Sequence, residues 1–195
     1  MANSITLIRL LSIFVVGYIA LYTTAKWQLL NPALITISVL LDGLDGFVAR
    51  IRNETSVFGA VFDIAADRII EITLWVLLAK LNMVSIWIAI IFLTRGILVD
   101  SLRKNHTYQG NLPFGIMKSG IGKFLVASRT MRFAYGFIKL ITFSWLFFLI
   151  PASELWPHMF STHAVIFSYI SNVLVYTAVT ICLIRGVPVT IEAVI

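Results

Sequence analysis

Apolar runs long enough to cross a lipid bilayer recur along the whole sequence, and they restrict the chain to a membrane fold. Of its 195 residues, 59% are hydrophobic and 12% are charged, about half the charged share of a typical soluble domain. The runs cover residues 4–24, 29–49, 57–80, 84–102, 124–150 and 163–185. The segments expected to be loops are 26–32, 50–56, 81–83, 103–123 and 151–163. The sequence predicts an all-α integral membrane protein with six transmembrane helices in a single domain, residues 1–195.

The basic residues predict how the chain is oriented in the membrane. The net charge of +6, from 15 Lys and Arg against 9 Asp and Glu, indicates cytoplasmic loops and lipid headgroup contact rather than a nucleic-acid partner. If both termini are cytoplasmic, the loops and span ends on that side carry Arg50, Arg52, Arg103, Lys104, Lys118, Lys123, Arg129, Arg132 and Arg185. The opposite loops and their flanks have only Lys26 and Lys80. Because Lys and Arg accumulate in cytoplasmic loops, we expect both termini to be cytoplasmic.

Four of the five aspartates of the chain fall within 26 residues, at Asp42, Asp45, Asp63 and Asp67. All four lie within or at the end of predicted spans, where a centrally placed Asp costs roughly 2.5–3.5 kcal/mol on insertion scales. Crowding of like charges raises that cost unless protons or cations intervene. The cluster therefore predicts a functional site that supplies strong electrostatic compensation.

The spacing of these aspartates predicts that they converge. Asp42 and Asp45 are three residues apart, and Asp63 and Asp67 are four apart, so each pair lies on one face of its helix. The connection between the helices is short enough to make them antiparallel neighbours, with the four carboxylates facing a cleft near the cytoplasmic end. Oxygen donors without His or Cys suit the hard cations Mg²⁺ or Mn²⁺. The pattern is compatible with a two-metal site, which stabilises the attacking and leaving oxygens in phosphoryl transfer.

Two other interpretations of this region remain open. Gly43, Gly46 and Gly59 leave room for a ligand to approach the backbone, but small residues also mediate the packing of membrane helices. The aspartates could instead form a proton or cation relay in a cation-coupled transporter. Such a transporter should show inverted repeats and broken helices in both halves, whereas the acids here occupy one half only. That asymmetry favours an enzyme.

Residues 42–67 follow the pattern Asp42-x2-Asp45-Gly46-x2-Ala49-Arg50-x8-Gly59-x3-Asp63-x3-Asp67. This pattern resembles the signature of the CDP-alcohol phosphotransferase (phosphatidyltransferase) family, with every defining position present. The N-terminal run Asn3-Ser4-Ile5-Thr6-Leu7-Ile8-Arg9 is similar to the usual start of that family's first span. The number of predicted spans and the length of the chain also match the family.

The resemblance implies a role for each of these positions. Asp42, Asp45 and Asp63 would ligate the metals, and Asp67, also at the metal site, would be the general base that deprotonates the acceptor hydroxyl. The residues implied to line the cytidine and diphosphate site are Gly46, Ala49, Arg50 and Gly59. The implied reaction transfers a phosphatidyl group from CDP-diacylglycerol to a small alcohol and releases CMP, at the cytoplasmic face of a bacterial inner membrane or its equivalent. The family is often homodimeric.

Basic residues that follow the motif bear on the identity of the acceptor. They are Arg95, Arg103, Lys104, Lys118, Lys123, Arg129 and Arg132. Lys104 is sufficiently explained by an ordinary positive-inside loop, but Arg95 lies inside the fourth predicted span. Basic side chains near a metal cleft suggest a phosphate on the acceptor, which favours glycerol 3-phosphate or inositol phosphate over serine, choline or free inositol. The residues predicted to bind this phosphate are Arg95, Arg103, Lys118, Lys123 and Arg129.

Within the family, the segment from Thr94 to Arg103 resembles that of phosphatidylglycerophosphate synthases. Those enzymes usually have Arg-Glu where this chain has Arg95-Gly96, and their Gly-Lys-x-Lys-Thr segment is matched only partly by residues 122–126. The resemblance points first to glycerol 3-phosphate as acceptor, giving phosphatidylglycerophosphate. A phosphatidylinositol-phosphate synthase or a cardiolipin synthase of the same family remains the alternative.

Overall fold

In a computed structural model of the chain, the residues that are described, 2–51, 57–108 and 120–194, are almost entirely helical and include no strand. Within these ranges the structure describes the backbone but not the side chains of residues 2, 43–51, 57, 103–108, 120–121, 123, 127, 129 and 193–194. The helices are α1 (Ala2–Tyr22), α2 (Ala25–Gln28), α3 (Asn31–Ile51), α4 (Val57–Lys80), α5 (Ile86–Tyr108), α6 (Gly120–Ala127), α7 (Arg129–Leu155) and α8 (Pro157–Val194).

The all-α prediction is confirmed, and a helix of at least 21 residues lies on each of the six predicted spans. Within the described part of the chain, α1, α7 and α8 are long and apolar enough to cross a membrane by length and composition. Helices α4 and α5 have 24 and 23 residues, but interior charges such as Asp63, Arg68 and Arg95 make them less apolar. These charges are the ones that build the site.

Three of the predicted loops are wrong in extent. In segment 26–32 only residues 29 and 30 lie outside a helix, because α2 continues to Gln28 and α3 begins at Asn31. Segment 151–163 is helical except at Trp156, because α7 continues to Leu155 and α8 begins at Pro157. Proline suits the first helical position, since its φ is already helical and it has no N–H to leave unsatisfied. Segment 103–123 is helical at both ends, with α5 continuing to Tyr108 and α6 beginning at Gly120, while 109–119 lie outside the described residues.

The fifth predicted span, 124–150, is not continuous. It is divided at Ser128, whose Oγ accepts a hydrogen bond from the Met131 N–H at 3.3 Å and so caps the start of α7. The guanidinium of Arg185 donates to the carbonyl oxygens of Met131 and Val126 at 2.7 and 3.4 Å. Because the last carbonyls of a helix have no partner within it, Arg185 stabilises the end of α6 at this break.

The turn between α4 and α5 covers residues 81–85, two more than the predicted 81–83, and its geometry explains why it is short. Asn82 has a φ of 58°, in the left-handed region where asparagine is better tolerated than most residues. The N–H of Met83 donates to the carbonyl of Leu78 at 2.9 Å, and the N–H of Asn82 donates to that of Ala79 at 3.1 Å. This is the pair of bonds that ends a helix in a Schellman motif, so α4 stops cleanly and α5 returns antiparallel to it.

The six long helices pack as a closed ring in the order α1, α3, α7, α8, α5 and α4, and α4 also contacts α7 across the ring. Trp75 of α4 lies at the centre of the core. Its ring stacks on Phe92 of α5 with centroids 4.7 Å apart, and it meets Phe143 of α7 at 4.8 Å. Buried aromatic contacts of this kind hold α4 firmly between its neighbours. The part of α4 that precedes Trp75 carries Asp63 and Asp67.

Candidate active site

The carboxylates of Asp42, Asp63 and Asp67 lie together, although α3 and α4 are not the packed neighbours that their short connection predicts, because α1 lies between them in the ring. One oxygen from each falls within 4.8 Å of the others. Asp42 comes from α3, and the other two lie one turn apart on α4, as the spacing predicts. Their side chains are 41%, 41% and 47% exposed, so the three carboxylates face an open cleft rather than the packed core.

The remaining residues of the motif are positioned by the same two helices. Gly59 is half-buried on α4, four residues before Asp63 and therefore on the same side of the helix. Asp45 follows Asp42 by three residues within α3, but its side chain lies outside the described residues. The same holds for the side chains of Gly46, Ala49 and Arg50. Their assigned roles therefore stay predictions.

Arg9 of α1 is the residue of this site to which the sequence pattern gave no role. Its side chain is only 4% exposed. Nη1 lies 2.7 Å from Oδ1 of Asp42 and 3.3 Å from Oδ1 of Asp63, and Nη2 lies 2.7 Å from Oδ1 of Asp67. The sequence contains one indication of this role, namely a charge inside the first apolar run. A buried charge is stable only with partners of opposite sign.

A second polar network crosses the ring one turn beyond Asp67. Its centre is the carboxylate of Glu71, which is 6% exposed. It accepts hydrogen bonds from Arg68 at 2.7 Å, from Lys139 of α7 at 2.8 Å and from the Tyr135 hydroxyl at 3.3 Å. Arg68 also binds Asp100 of α5 with two nitrogens, at 2.6 and 3.3 Å. The network thus fastens the helix that carries Asp63 and Asp67 to both α5 and α7.

Gly96 is one of the positions where the chain departs from its resemblance to phosphatidylglycerophosphate synthases. In the structure, the absence of a side chain at this position leaves room for the side chain of Arg68. A Cβ at Gly96 would lie 3.2 Å from Cδ of Arg68. The Arg68 side chain therefore crosses α5 at this glycine and reaches Asp100, one turn further along the same face. A larger residue at position 96 would crowd that path.

Two arginines approach the same aromatic ring from neighbouring helices. The guanidinium carbons of Arg95 (α5) and Arg185 (α8) lie 5.8 and 5.2 Å from the ring centre of Tyr135. Among the described residues, neither arginine has a carboxylate partner, and the buried Nε of each has no hydrogen-bond acceptor. Glu71, which accepts from the hydroxyl of the same Tyr135, is close enough to interact electrostatically with Arg95, but the two buried Nε atoms without acceptors still indicate a place where a further acceptor, such as an anion, can bind. Arg185 was recognised from the sequence only as a marker of orientation.

The other basic residues predicted to bind the acceptor phosphate are not brought to this place by any described contact. Arg103 lies in α5, Lys123 in α6 and Arg129 at the start of α7, but their side chains are outside the described residues. Lys118 falls in the segment 109–119, which is also outside them. Their part in binding the acceptor stays a prediction.

Comparison with known sequences identifies a family for this chain. The sequence model of a family described as CDP-alcohol phosphatidyltransferase matches residues 1–184. The chain belongs to the CDP-alcohol phosphatidyltransferase family. This confirms the family predicted from the spacing between Asp42 and Asp67, and with it the prediction of an integral membrane protein.

Individual relatives carry more than one name. A CDP-diacylglycerol–glycerol-3-phosphate 3-phosphatidyltransferase of Wigglesworthia glossinidia brevipalpis is 32% identical over 105 residues, 51% of this chain and 56% of the relative. A CDP-diacylglycerol–serine O-phosphatidyltransferase of Helicobacter pylori is 44% identical over 57 residues, 29% of this chain and 24% of the relative. A putative cardiolipin synthase of Mycobacterium tuberculosis is 32% identical over 98 residues, 50% of this chain and 46% of the relative. The chain thus spans about half or less of these relatives, and the acceptor has to be argued from the site.

Proposed function

We propose that the protein transfers a phosphatidyl group from CDP-diacylglycerol to a phosphorylated small alcohol and releases CMP. Glycerol 3-phosphate, giving phosphatidylglycerophosphate, is the first candidate acceptor. The observation that carries the proposal is the convergence of Asp42, Asp63 and Asp67 from two helices of a chain in this family. A phosphatidylinositol-phosphate synthase or a cardiolipin synthase would use the same cleft. A cation-coupled transporter would explain the acids but not their spacing with the motif glycines.

The donor set fits a divalent metal. The three carboxylates supply oxygen ligands only, which suits Mg²⁺ or Mn²⁺. The guanidinium of Arg9 already lies among them, so they are placed to hold a positive group in common. Asp42, Asp45 and Asp63 would hold the metal ions, with Asp67 beside them. Two bound ions would offset the charge of the diphosphate and stabilise the attacking and leaving oxygens.

Residues of the chain would carry out the proton transfer and bind the substrate. Asp67 takes the proton from the acceptor hydroxyl, and the resulting oxygen attacks the phosphorus that carries the lipid. A bond forms from this oxygen to that phosphorus, while the bond from the phosphorus to the bridging oxygen breaks and its electron pair leaves with CMP. Gly46, Ala49, Arg50 and Gly59 would line the cytidine and diphosphate site. Glycine at 46 and 59 lets the ligand approach the helix backbone closely.

A phosphate on the acceptor is supported by Arg95 and Arg185. Both guanidinium groups lie at the Tyr135 ring, and neither has a carboxylate partner among the described residues. Arginine suits this task because its planar group binds phosphate oxygens with two parallel hydrogen bonds. Arg103, Lys118, Lys123 and Arg129 would complete the site. Serine and free inositol carry no phosphate that these arginines could bind.

The arrangement in the membrane follows from the charges. We propose that all six long helices cross the bilayer, with both termini and the aspartate cleft on the cytoplasmic side, where most basic residues outside the spans lie. The acidic helix α4 is compatible with a span because Arg9, Arg68 and Lys139 compensate its carboxylates. Assembly as a homodimer stays a prediction from the family.

The proposal is tested with the purified protein in detergent micelles. CDP-diacylglycerol and Mn²⁺ are supplied with glycerol 3-phosphate, inositol phosphate, phosphatidylglycerol, serine or free inositol in separate reactions, and CMP release is measured. We expect release with a phosphorylated acceptor and none with serine or free inositol. Absence of release with every acceptor, from a folded sample, would sink the transferase proposal. Release with serine alone would sink the phosphorylated acceptor.

Gly186→Ala should weaken acceptor binding by displacing Arg95. A Cβ at position 186 would lie 2.7 Å from Cγ of Arg95, too close for the arginine to keep its place. Because a hydrogen bond to a charged group contributes about 1.5–3 kcal/mol, we expect the KM for the acceptor to rise about tenfold or more, with kcat changed little. The control is Gly136→Ala, where the added Cβ meets no described atom within 4 Å. An equal KM in the two variants would contradict a role for Arg95.

A further inference from the structure

Arg9 lies among the carboxylates of the cleft and is held there by several contacts. Three carboxylate oxygens, one each from Asp42, Asp63 and Asp67, lie within 3.3 Å of its two terminal nitrogens. These three carboxylates are also the group that could hold a metal ion together. The arginine therefore lies against the same carboxylates that would hold a metal and contacts one oxygen, Oδ1, of each.

The guanidinium is anchored at its other edge as well. Nε of Arg9 donates to the backbone carbonyl of Ser38 at 3.1 Å, four residues before Asp42 on α3. Arg9 thus connects α1 to α3 through Ser38 and Asp42, and to α4 through Asp63 and Asp67. Since its side chain is buried and fixed at both edges, it has lost the freedom that makes surface ion pairs weak.

The contacts of Arg9 and the binding of a metal ion require different arrangements of the same three carboxylates. Mg²⁺ requires its oxygen ligands at about 2.0–2.1 Å in near-octahedral geometry. The carboxylates would then have to turn toward the ion, while a guanidinium within hydrogen-bond distance would repel it strongly in a partly desolvated cleft. The three contacts of Arg9 and a metal held by the same carboxylates are therefore expected to compete.

We propose that Arg9 is a positioning residue that competes with the metal: its guanidinium holds the three carboxylates in the metal-free protein and releases them when a divalent cation binds. The inference rests on the proposed function insofar as it takes the cleft to be a metal site. When no metal is bound, Arg9 would then balance the charge of these acids within the membrane. The competition also means that Asp67 leaves Arg9 when the metal binds, and so becomes available to the acceptor hydroxyl.

The test is the affinity for Mn²⁺ alone, measured by the electron paramagnetic resonance signal of the free ion with purified protein in micelles. Arg9→Gln removes the competing cation, and we expect the Kd for Mn²⁺ to fall about tenfold or more, as coupling between close charges would predict. The control is Lys26→Gln, which removes the same charge from an exposed residue of α2. Its Kd should stay near that of the unchanged protein.

A merely structural role for Arg9 would leave the affinity unchanged or weaken it, and either result overturns the proposal. If Arg9→Gln does not fold, Arg9→Met removes the same charge and keeps a long side chain, so its Kd should also fall. An unchanged or higher Kd for that variant overturns the proposal too. No Mn²⁺ binding by the unchanged protein would overturn the metal site itself. CMP release by the unchanged protein is measured separately, so that failure of the transferase and failure of the competition remain distinct.

Discussion

Asp67→Asn should lower the rate of CMP release at least about a hundredfold, because a positioned general base typically contributes between about 10² and 10⁴ to a rate. Asparagine has nearly the shape of aspartate, but it cannot take up the proton of the acceptor hydroxyl. Asp67 is suited to this role since it is the most exposed of the three converging carboxylates, at 47%, and faces the cleft. We expect CDP-diacylglycerol to bind nearly as before.

Two measurements make this prediction specific. Turnover is followed as CMP release, and binding of the CDP-lipid as the rise that it causes in the melting temperature. Glu154→Gln is the control, since it makes the same chemical change at an exposed residue near the end of α7. Near-normal turnover of Asp67→Asn would show that another group is the base. Loss of CDP-lipid binding together with turnover would instead indicate a role for Asp67 in holding the substrate.

The sequence predicts the helical skeleton well because hydrophobic length alone specifies it. It predicts the ends of helices less well, because these depend on single polar contacts. Ser128 interrupts the fifth span through one capping hydrogen bond, although the residues on both sides of it continue the helical pattern. At Pro157 the same side chain that ends many helices begins one. The order of the helices around the ring depends on contacts between distant residues, and no local pattern contains it.

The residues of the site also differ in whether the sequence could predict them. Asp42, Asp63 and Asp67 were predictable because their spacing is a property of single helices and because acids are costly in a membrane. Arg9 was not, since its partners on α4 lie 54 and 58 positions along the chain. The role of Gly96 became visible only when Arg68 was seen to cross it toward Asp100. Contacts between helices therefore supplied what the motif lacked, namely the positive charges that balance it.

Glu71→Gln should destabilise the protein by about 3–5 kcal/mol, the usual cost of removing one partner from a buried ion pair. Glu71 is 6% exposed and is shared by Arg68 and Lys139. Without it, Arg68 keeps Asp100, but Lys139 has no other carboxylate partner among the described residues. Lys139→Met should cost less, since Glu71 would still be paired with Arg68.

These differences are measured as free energies of unfolding in mixed micelles, with the exposed Lys80→Met as control for loss of a lysine. The double variant Glu71→Gln/Lys139→Met should be more stable than Glu71→Gln alone, because the second change removes the cation that the first leaves unpaired. If the double variant is as unstable as the sum of the single ones, Lys139 and Glu71 act independently. The link between α4 and α7 would then depend on the Trp75 and Phe143 contact instead. If the expected recovery is found, the charges of α4 are held in the membrane by pairing across the ring, which keeps Asp63 and Asp67 in register with Asp42.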